Sequence, residues 1–276
     1  MYNKWNDVKG KIHSQSPLIH CITSPIAIND CANAVLALGA KPIMAEHPLE
    51  VENITLMSKS LAVSLANITD ARAESIMISG KAACKAGIPS VIDLVGVTCS
   101  KMRADFAKKY ITLCRPAVIK GNVSEIKAVC GMGFDASSGI DVSDKDKVDS
   151  ANPKSIEEMS YIVKNYAAAN GCVVMASGET DIISDGKEVY HISNGSSRMA
   201  DVTGTGCILN CITAVFMSVT DALTACVLAA AVLGISGELA DDSRGLGTYH
   251  IGLIDSLSLM DSEKFSQMAK IKKYNK

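Results

Sequence analysis

Aromatic side chains are scarce in this chain: they make up 4% of 276 residues, with one tryptophan and four phenylalanines. Basic excess is missing too, since the formal charge is -2 at pH 7 and the pI is near 6.2. Without a Lys/Arg run interleaved with aromatics there is no electrostatic footprint for a phosphate backbone, and nucleic acid is not an expected partner. The first residues, Met1-Tyr-Asn-Lys-Trp-Asn-Asp-Val-Lys9, are polar and hold no apolar core of an export signal, so a cytoplasmic location is expected. No membrane span is expected either. The most apolar stretch, Ala222 to Gly237, is interrupted by Thr224, Gly234 and Ser236 and falls short of the roughly 20 residues that cross a bilayer; it reads as a buried core helix. Several catalytic signatures are also missing. Neither a Gly-x-x-x-x-Gly-Lys-Ser/Thr loop nor a Gly-x-Gly-x-x-Gly opening occurs, which disfavours P-loop and classical dinucleotide folds. Gly-x-Ser-x-Gly is absent, against an α/β-hydrolase, and His20, His47 and His250 have no partner at zinc-ligand spacing. These histidines read as structural or surface residues.

What the chain has in quantity is aliphatic: 48% of it is hydrophobic and only 20% charged, a composition for helices packed on a parallel sheet. Ten cysteines lie scattered through apolar stretches (Cys84, Cys130, Cys172, Cys211 and Cys226 among them) with no spaced framework, and read as reduced buried thiols. Short apolar runs alternate with longer periodic segments. The runs Leu18–Ile22, Pro42–Met44, Leu61–Leu65, Ser90–Asp93, Val118–Lys120 and Cys172–Ala176 predict strands. Ile28–Leu38, Ala71–Ala86, Lys101–Lys109 and Ile156–Asn170 predict helices, several closed by glycine at 39, 87 and 171. Right-handed crossovers then make the sheet largely parallel. Asp185-Gly186 between Asp181–Ser184 and Glu188–Ile192 signals a hairpin, adding antiparallel strands at one edge. Beyond it the pattern is wholly helical, over Gly206–Val219, Asp221–Leu239 and from Leu253 onward. The Gly/Ser/Asp-rich segment Gly131–Asn152 predicts a surface excursion rather than a linker, so residues 1–276 are expected to form a single domain.

The stretch Asp201-Val-Thr-Gly-Thr-Gly-Cys207 runs straight into the apolar segment Ile208–Val219. Glycines before a helix N-terminus expose backbone N–H groups, and the positive end of the helix dipole favours an anion, a transferring phosphoryl group being a natural occupant. Thr203 and Thr205 add hydroxyls. Cys207 falls in the first turn, where a thiol pKa is expected to drop. Taken alone, the motif is equally a glycine-rich turn that precedes a core helix. A second signal, Lys120-Gly-Asn-Val-Ser-Glu125, follows an apolar strand, at the place where open sheets bind ligands. Glu125 there can serve Mg²⁺, while Asn122 and Glu125 have the spacing of a capping box; the two readings are compatible. Asp93 ends a third strand, and Ser177-Gly178-Glu179 follows a fourth. Several strand ends carrying polar turns is the arrangement that assembles one site from distant sequence.

Asp201-Val-Thr-Gly-Thr-Gly-Cys207 and Asn122-Val-Ser-Glu125 together resemble the Asp-Thr-x-Gly-Ala-Gly-Asp and Asn-x-x-Glu motifs of the ribokinase-like small-molecule kinases. With His20-Cys-Ile-Thr-Ser-Pro-Ile-Ala-Ile-Asn-Asp-Cys-Ala-Asn33, Leu38-Gly-Ala-Lys-Pro-Ile-Met-Ala45, Val51-Glu-Asn-Ile54, Asp93 and Gly178-Glu179 in order, the chain resembles the hydroxyethylthiazole kinases over nearly its whole length. The resemblance implies a three-layer α/β/α fold with a mostly parallel sheet and an antiparallel edge hairpin. The implied reaction is ATP-dependent phosphorylation of the primary alcohol of 4-methyl-5-(2-hydroxyethyl)thiazole, with Mg²⁺. Carried over by position, it places Met44, Ser24, Ile26 and Gly204 at the thiazole, and Lys120, Ser177 and Asn122 at ATP. Asp93 and Glu125 fall at the metal, and Gly204, Thr205, Gly206 and Cys207 at the transferred group. It also implies a homotrimer with the thiazole pocket between subunits. The chain departs from the family pattern at Ser24, at Leu94, and at Lys120, which stands for an arginine and keeps its charge without the bidentate fork. Gly245-Leu-Gly-Thr-Tyr249 likewise replaces a Gly-Pro-Gly-Thr/Ser-aromatic pattern. The rival readings are a hydroxymethylpyrimidine or pyridoxal kinase of the same fold, a non-catalytic nucleotide-binding protein, and a hydrolase using Cys207 as nucleophile.

Overall fold

A computed structural model describes residues 1–131, 153–241 and 244–274; the expected surface excursion lies outside these residues beyond Gly131. In chain order the elements are α1 (Tyr2–Gln15), β1 (Leu18–Ile22), α2 (Ile28–Ala37), β2 (Lys41–Ile43), α3 (Val51–Met57), β3 (Ser60–Ser64), α4 (Asp70–Ala86), β4 (Ser90–Asp93), α5 (Lys101–Cys114), β5 (Val118–Asn122), α6 (Val123–Val129) and α7 (Pro153–Asn170). They continue with β6 (Val173–Ser177), β7 (Asp181–Ser184), β8 (Val189–Ile192), α8 (Thr205–Met217), α9 (Ala222–Leu239), α10 (Leu246–Ser258), α11 (Ser262–Met268) and β9 (Ile271–Tyr274). The strands form one sheet in the order β2-β1-β3-β4-β5-β6-β7-β8-β9. The first six are mutually parallel, and the last three each run antiparallel to their predecessor.

Side chains alternate across the pleat and so feed two cores. Ala62, Val91, Val118, Val173, Met175 and Ile183 face the layer of α1, α2, α8 and α9, while Leu61, Val63, Ile92, Ile119, Val174 and Ile182 face α4, α5 and α7. Two buried faces explain why the parallel strands read as continuous apolar runs. Helix α9 is the apolar stretch of the sequence: it has the length and hydropathy of a membrane span, yet 78% of it is buried among its neighbours.

Helices α1 and α3 and strand β9 were not anticipated. Helix α1 carries Trp5, Val8 and Ile12 on one buried stripe, with Trp5 stacked on Phe265 at 5.2 Å between ring centroids; its polar remainder hides that periodicity. The wholly helical C-terminal pattern is corrected at its end, where Ile271–Tyr274 pairs with β8. A four-residue edge strand whose centre is Lys272-Lys273 has too little apolar alternation to be read, and lysines are what edges tolerate. Lys273 is ion-paired with Glu188 across the ladder.

Candidate active site

The chain leaves β1 to form β2 on one side and then returns to form β3 on the other. That reversal opens a crevice beyond the carboxyl ends of the strands, where ligands of open α/β sheets lie. The polar residues singled out in the sequence collect along this edge. Asp93 ends β4 in register with Lys120 of β5, and Lys120 Nζ lies 3.1 Å from Asp93 Oδ1, both side chains buried. Asn122 is in register with Ser177 of β6, whose hydroxyl donates to the Gly121 carbonyl at 3.3 Å. Asn122 also caps α6: its Oδ1 accepts the Glu125 N–H at 2.9 Å while Glu125 Oε2 accepts the Asn122 N–H at 2.8 Å, the expected capping box. Glu125 Oε1 takes the Gly96 N–H at 2.9 Å, so this carboxyl ties the turn after β4 to the turn after β5. Gly121 is needed there because a Cβ would stand 3.0 Å from that of Glu125.

The glycine-rich stretch closes the crevice from the opposite layer. Gly204 is the N-cap of α8 with φ +91, and a Cβ on it would meet that of Ala27 at 2.9 Å. Thr205 donates its hydroxyl to the Met199 carbonyl at 3.1 Å, which turns it toward the preceding 3-10 turn (Ser197–Asp201). A Cβ at Gly206 would lie 3.5 Å from Lys120 Nζ; the ammonium therefore stands against the first turn of α8. Cys207 is buried one residue on. Its expected low pKa is corrected: burial, with Asp93 and Cys31 adding to it, pushes the thiol up to about 11 and outweighs Lys120. The helix N-terminus cannot offset the loss of solvent.

Negative groups outnumber positive ones here. Burial pushes Glu125 up to about 7, with Asp93 adding to the shift. Asp181, which the sequence reading did not select, is likewise pushed up to about 7 by burial, although it accepts the Gly178 N–H at 3.0 Å and feels Lys120. Asp93 is raised by burial against the pull of Lys120. For Lys120 burial acts downward, but Asp93, Cys207 and Glu125 overcome it and hold the ammonium above the ordinary lysine range. One buried cation thus faces three buried carboxyl groups. Among the described residues no three His, Cys, Asp or Glu side chains converge closely enough to cage a metal ion.

The residues expected at the alcohol lie on the switch-point side. Ser24 is buried, its Oγ donating to Asn67 Oδ1 at 2.6 Å and accepting the Ile26 N–H at 3.2 Å. Ile26 itself is 63% exposed, while Met44, just past β2, is half-buried against the α8-side core. Neither belongs to the charged group around Lys120. The structural role expected of His20 is met: it is buried, with Nε2 donating to the Ala45 carbonyl at 2.9 Å and Nδ1 2.9 Å from Thr55 Oγ1. Sequence reasoning also missed Arg72, a buried arginine between the loops that follow β1 and β3.

The Hydroxyethylthiazole kinase family model matches residues 10–263. The chain belongs to the hydroxyethylthiazole kinase family. It is 48% identical over 267 residues to hydroxyethylthiazole kinase 2 of Clostridium botulinum (strain Hall), covering 97% of this chain and 99% of that one. It also superposes on the hydroxyethylthiazole kinase structure of Pyrococcus horikoshii OT3 with TM-score 0.87 at 27% identity, covering 98% of each chain. The fold extends to the pyridoxal kinase of Staphylococcus aureus, with TM-score 0.58 at 13% identity over 80% of this chain and 87% of that one. The architecture is therefore ribokinase-like, as the motifs implied, and membership in a kinase family implies ATP as co-substrate.

Proposed function

We propose that this family member transfers the γ-phosphoryl group of ATP to the primary alcohol of 4-methyl-5-(2-hydroxyethyl)thiazole, with residues 1–276 acting as one kinase domain in thiamine biosynthesis or salvage. The observation that carries the proposal is Lys120, ion-paired to Asp93 with its Nζ against Gly206 at the first turn of α8. An ammonium, the free N–H groups of a helix N-terminus and its dipole then converge where a phosphoryl group is to be held. In phosphoryl transfer the transition state is loose and its charge spreads over three oxygens, so positioning and charge stabilisation dominate. Gly204, Thr205 and Gly206 supply backbone donors and Lys120 the charge; Ser177 and Asn122, in register at the neighbouring strand ends, line the nucleotide side. The alcohol sits over Gly204 among Ser24, Ile26 and Met44. Its oxygen attacks phosphorus as the bond to the ADP oxygen breaks. Cys207, protonated at neutral pH with its thiol at about 11, orients the hydroxyl and relays its proton late to an oxygen of the transferred phosphoryl group rather than removing it beforehand. ATP-dependent phosphorylation of the thiazole by the purified chain, compared with hydroxymethylpyrimidine and pyridoxal, tests the reading. Selective turnover of the thiazole supports it, and preferred turnover of either other alcohol overturns it.

Mg²⁺ fits this residue set. It binds through one or two carboxylates, waters and substrate phosphates rather than in an all-protein cage, and Asp93 and Glu125 bring surplus buried acidity to the nucleotide side. When bound it would neutralise phosphate charge. Apart from catalysis, it would reverse a pH effect. Glu125 titrates at about 7 instead of 4.5 and Asp181 at about 7 instead of 3.8. The unfolded chain therefore releases these protons first, and stability falls as pH rises from about 4 to about 7. A cation binding the ionised forms must restore more stability above that window than within it. Millimolar Mg²⁺ is accordingly expected to raise the thermal midpoint of the ligand-free protein more at pH 8 than at pH 6. An equal rise at both values would remove Glu125 from the metal assignment.

A homotrimer with the thiazole pocket between subunits suits the exposure of Ile26 and the half-burial of Met44, both of which leave that side of the pocket open on a single chain. Sedimentation at about three times the 29.1 kDa chain mass checks it. None of the ten cysteines is joined in a disulfide, which suits a reducing compartment such as the cytoplasm.

A further inference from the structure

We propose that Arg72 is the positioning residue of the alcohol pocket: its guanidinium fixes the distance between the loop that carries the substrate contacts and the N-terminus of α8. The inference rests on the thiazole kinase reading of the same site. Arg72 sits at the start of α4, where Thr69 caps the helix by accepting the Arg72 N–H at 3.3 Å, and its side chain is buried. From there it turns back across the switch-point crevice. Nη2 donates to the Thr23 carbonyl at 2.5 Å, and Nη1 donates to the carbonyls of Ala66 at 2.7 Å and Asn67 at 3.0 Å. Nε lies 3.3 Å from Glu46 Oε2. Three loops, those following β1, β2 and β3, are thereby tied to one rigid planar group.

The consequence reaches the reaction through two short steps. Asn67 has φ +49, in the left-handed region that asparagine enters more readily than most non-glycine residues, and its side chain accepts the Ser24 hydroxyl at 2.6 Å. Thr23 and Ser24 in turn lead into Ala27, which donates its backbone N–H to the Ser24 carbonyl at 3.0 Å and lies against Gly204. Arg72 touches neither substrate nor phosphate in this arrangement. It sets where Ser24, Ile26 and Ala27 stand relative to the first turn of α8, and so how far the alcohol oxygen lies from the phosphoryl group. A guanidinium does this better than an ammonium because its donors are fixed in a plane and diverge toward separate carbonyls.

Steady-state kinetics of Arg72→Lys and Asn67→Gly, with the thiazole varied at saturating ATP and ATP varied at saturating thiazole, tests this. Asn67→Gly relieves the left-handed backbone while deleting the acceptor for Ser24, so it folds even if the arginine variant does not. In both variants kcat is expected to fall about 10- to 100-fold, KM for the thiazole to rise with it, and KM for ATP to stay within about two-fold, since misplacement by an ångström acts on the positioned reactant. Uniform loss of active protein, with both KM values unchanged, would show a merely structural role and overturn the proposal. So would KM values for thiazole and ATP that rise together. A wild-type chain that phosphorylates pyridoxal or hydroxymethylpyrimidine instead would overturn the substrate reading, and an unchanged thiazole KM in the variants of an active wild type would overturn the role of Arg72 alone.

Discussion

Lys120→Met is expected to lower kcat by about 10³-fold, the scale on which a cation at a transferring phosphoryl group acts, and to destabilise the fold by about 3 kcal/mol. The two losses have different origins. Stability falls because Asp93 is left buried without its partner at 3.1 Å, beside the carboxyl of Glu125. Rather than remain ionised, Asp93 takes up a proton, and its already raised pKa rises further. Turnover falls because the first turn of α8 loses the ammonium that stands against Gly206. The double variant Lys120→Met/Asp93→Asn separates them: it removes the charge pair as a unit, so the thermal midpoint is expected to recover most of the loss while kcat stays down. Recovery of kcat in the double variant would show that Lys120 serves only to neutralise Asp93.

The strand ends of this site were legible because β-α punctuation is local. Asp93 and Lys120 each follow an apolar run, Asn122 and Glu125 have capping-box spacing, and Gly204 and Gly206 precede a long apolar helix; the structure sets the first four along one sheet edge and the start of the helix against them. Exposure and titration were less legible, because both depend on what packs from the opposite layer. Cys207 stands in the first turn of a helix, a place that ordinarily lowers a thiol pKa, but the packing of α2 and β1 against α8 removes the water on which that effect relies. Asp181 reads as the first residue of a hairpin strand, and nothing local reveals that it is buried within range of Lys120.

Arg72 shows the limit most clearly. In the sequence it is one charged residue in the polar opening of a helix, Thr69-Asp-Ala-Arg72, and a charge there is usually solvated. Its partners, Thr23, Glu46, Ala66 and Asn67, are backbone carbonyls and one carboxylate on three loops. Carbonyls carry no side-chain signature, so no pattern of residue types announces the contact. The same reasoning covers His20, whose Nε2 bond goes to the Ala45 carbonyl. Functional groups that act on the backbone of other loops become visible only once topology has brought the loops together.

Gly204→Val is expected to reduce kcat/KM by about 10²- to 10³-fold, the scale of losing preorganised donors at a developing charge, and to weaken ATP binding as well. At φ +91 a β-branched residue is strained by about 1–3 kcal/mol, and its Cβ would start 2.9 Å from that of Ala27. The strain can be relieved only by moving the N-cap of α8 or the loop that holds Ser24 and Ile26. Moving the first re-aims the N–H groups at the phosphoryl group; moving the second displaces the alcohol. Either way both substrates are affected, which is what distinguishes this position from Cys207. There a Cys207→Ala change deletes one thiol from a helix whose backbone and N-terminal donors are untouched, so kcat is expected to fall with the Kd for ATP unchanged. The pair of variants, read by turnover and by calorimetric ATP titration, therefore partitions the motif into a backbone cradle and a side chain. Unchanged ATP affinity in Gly204→Val would place the nucleotide away from the α8 N-terminus and leave Lys120 without its proposed phosphoryl partner.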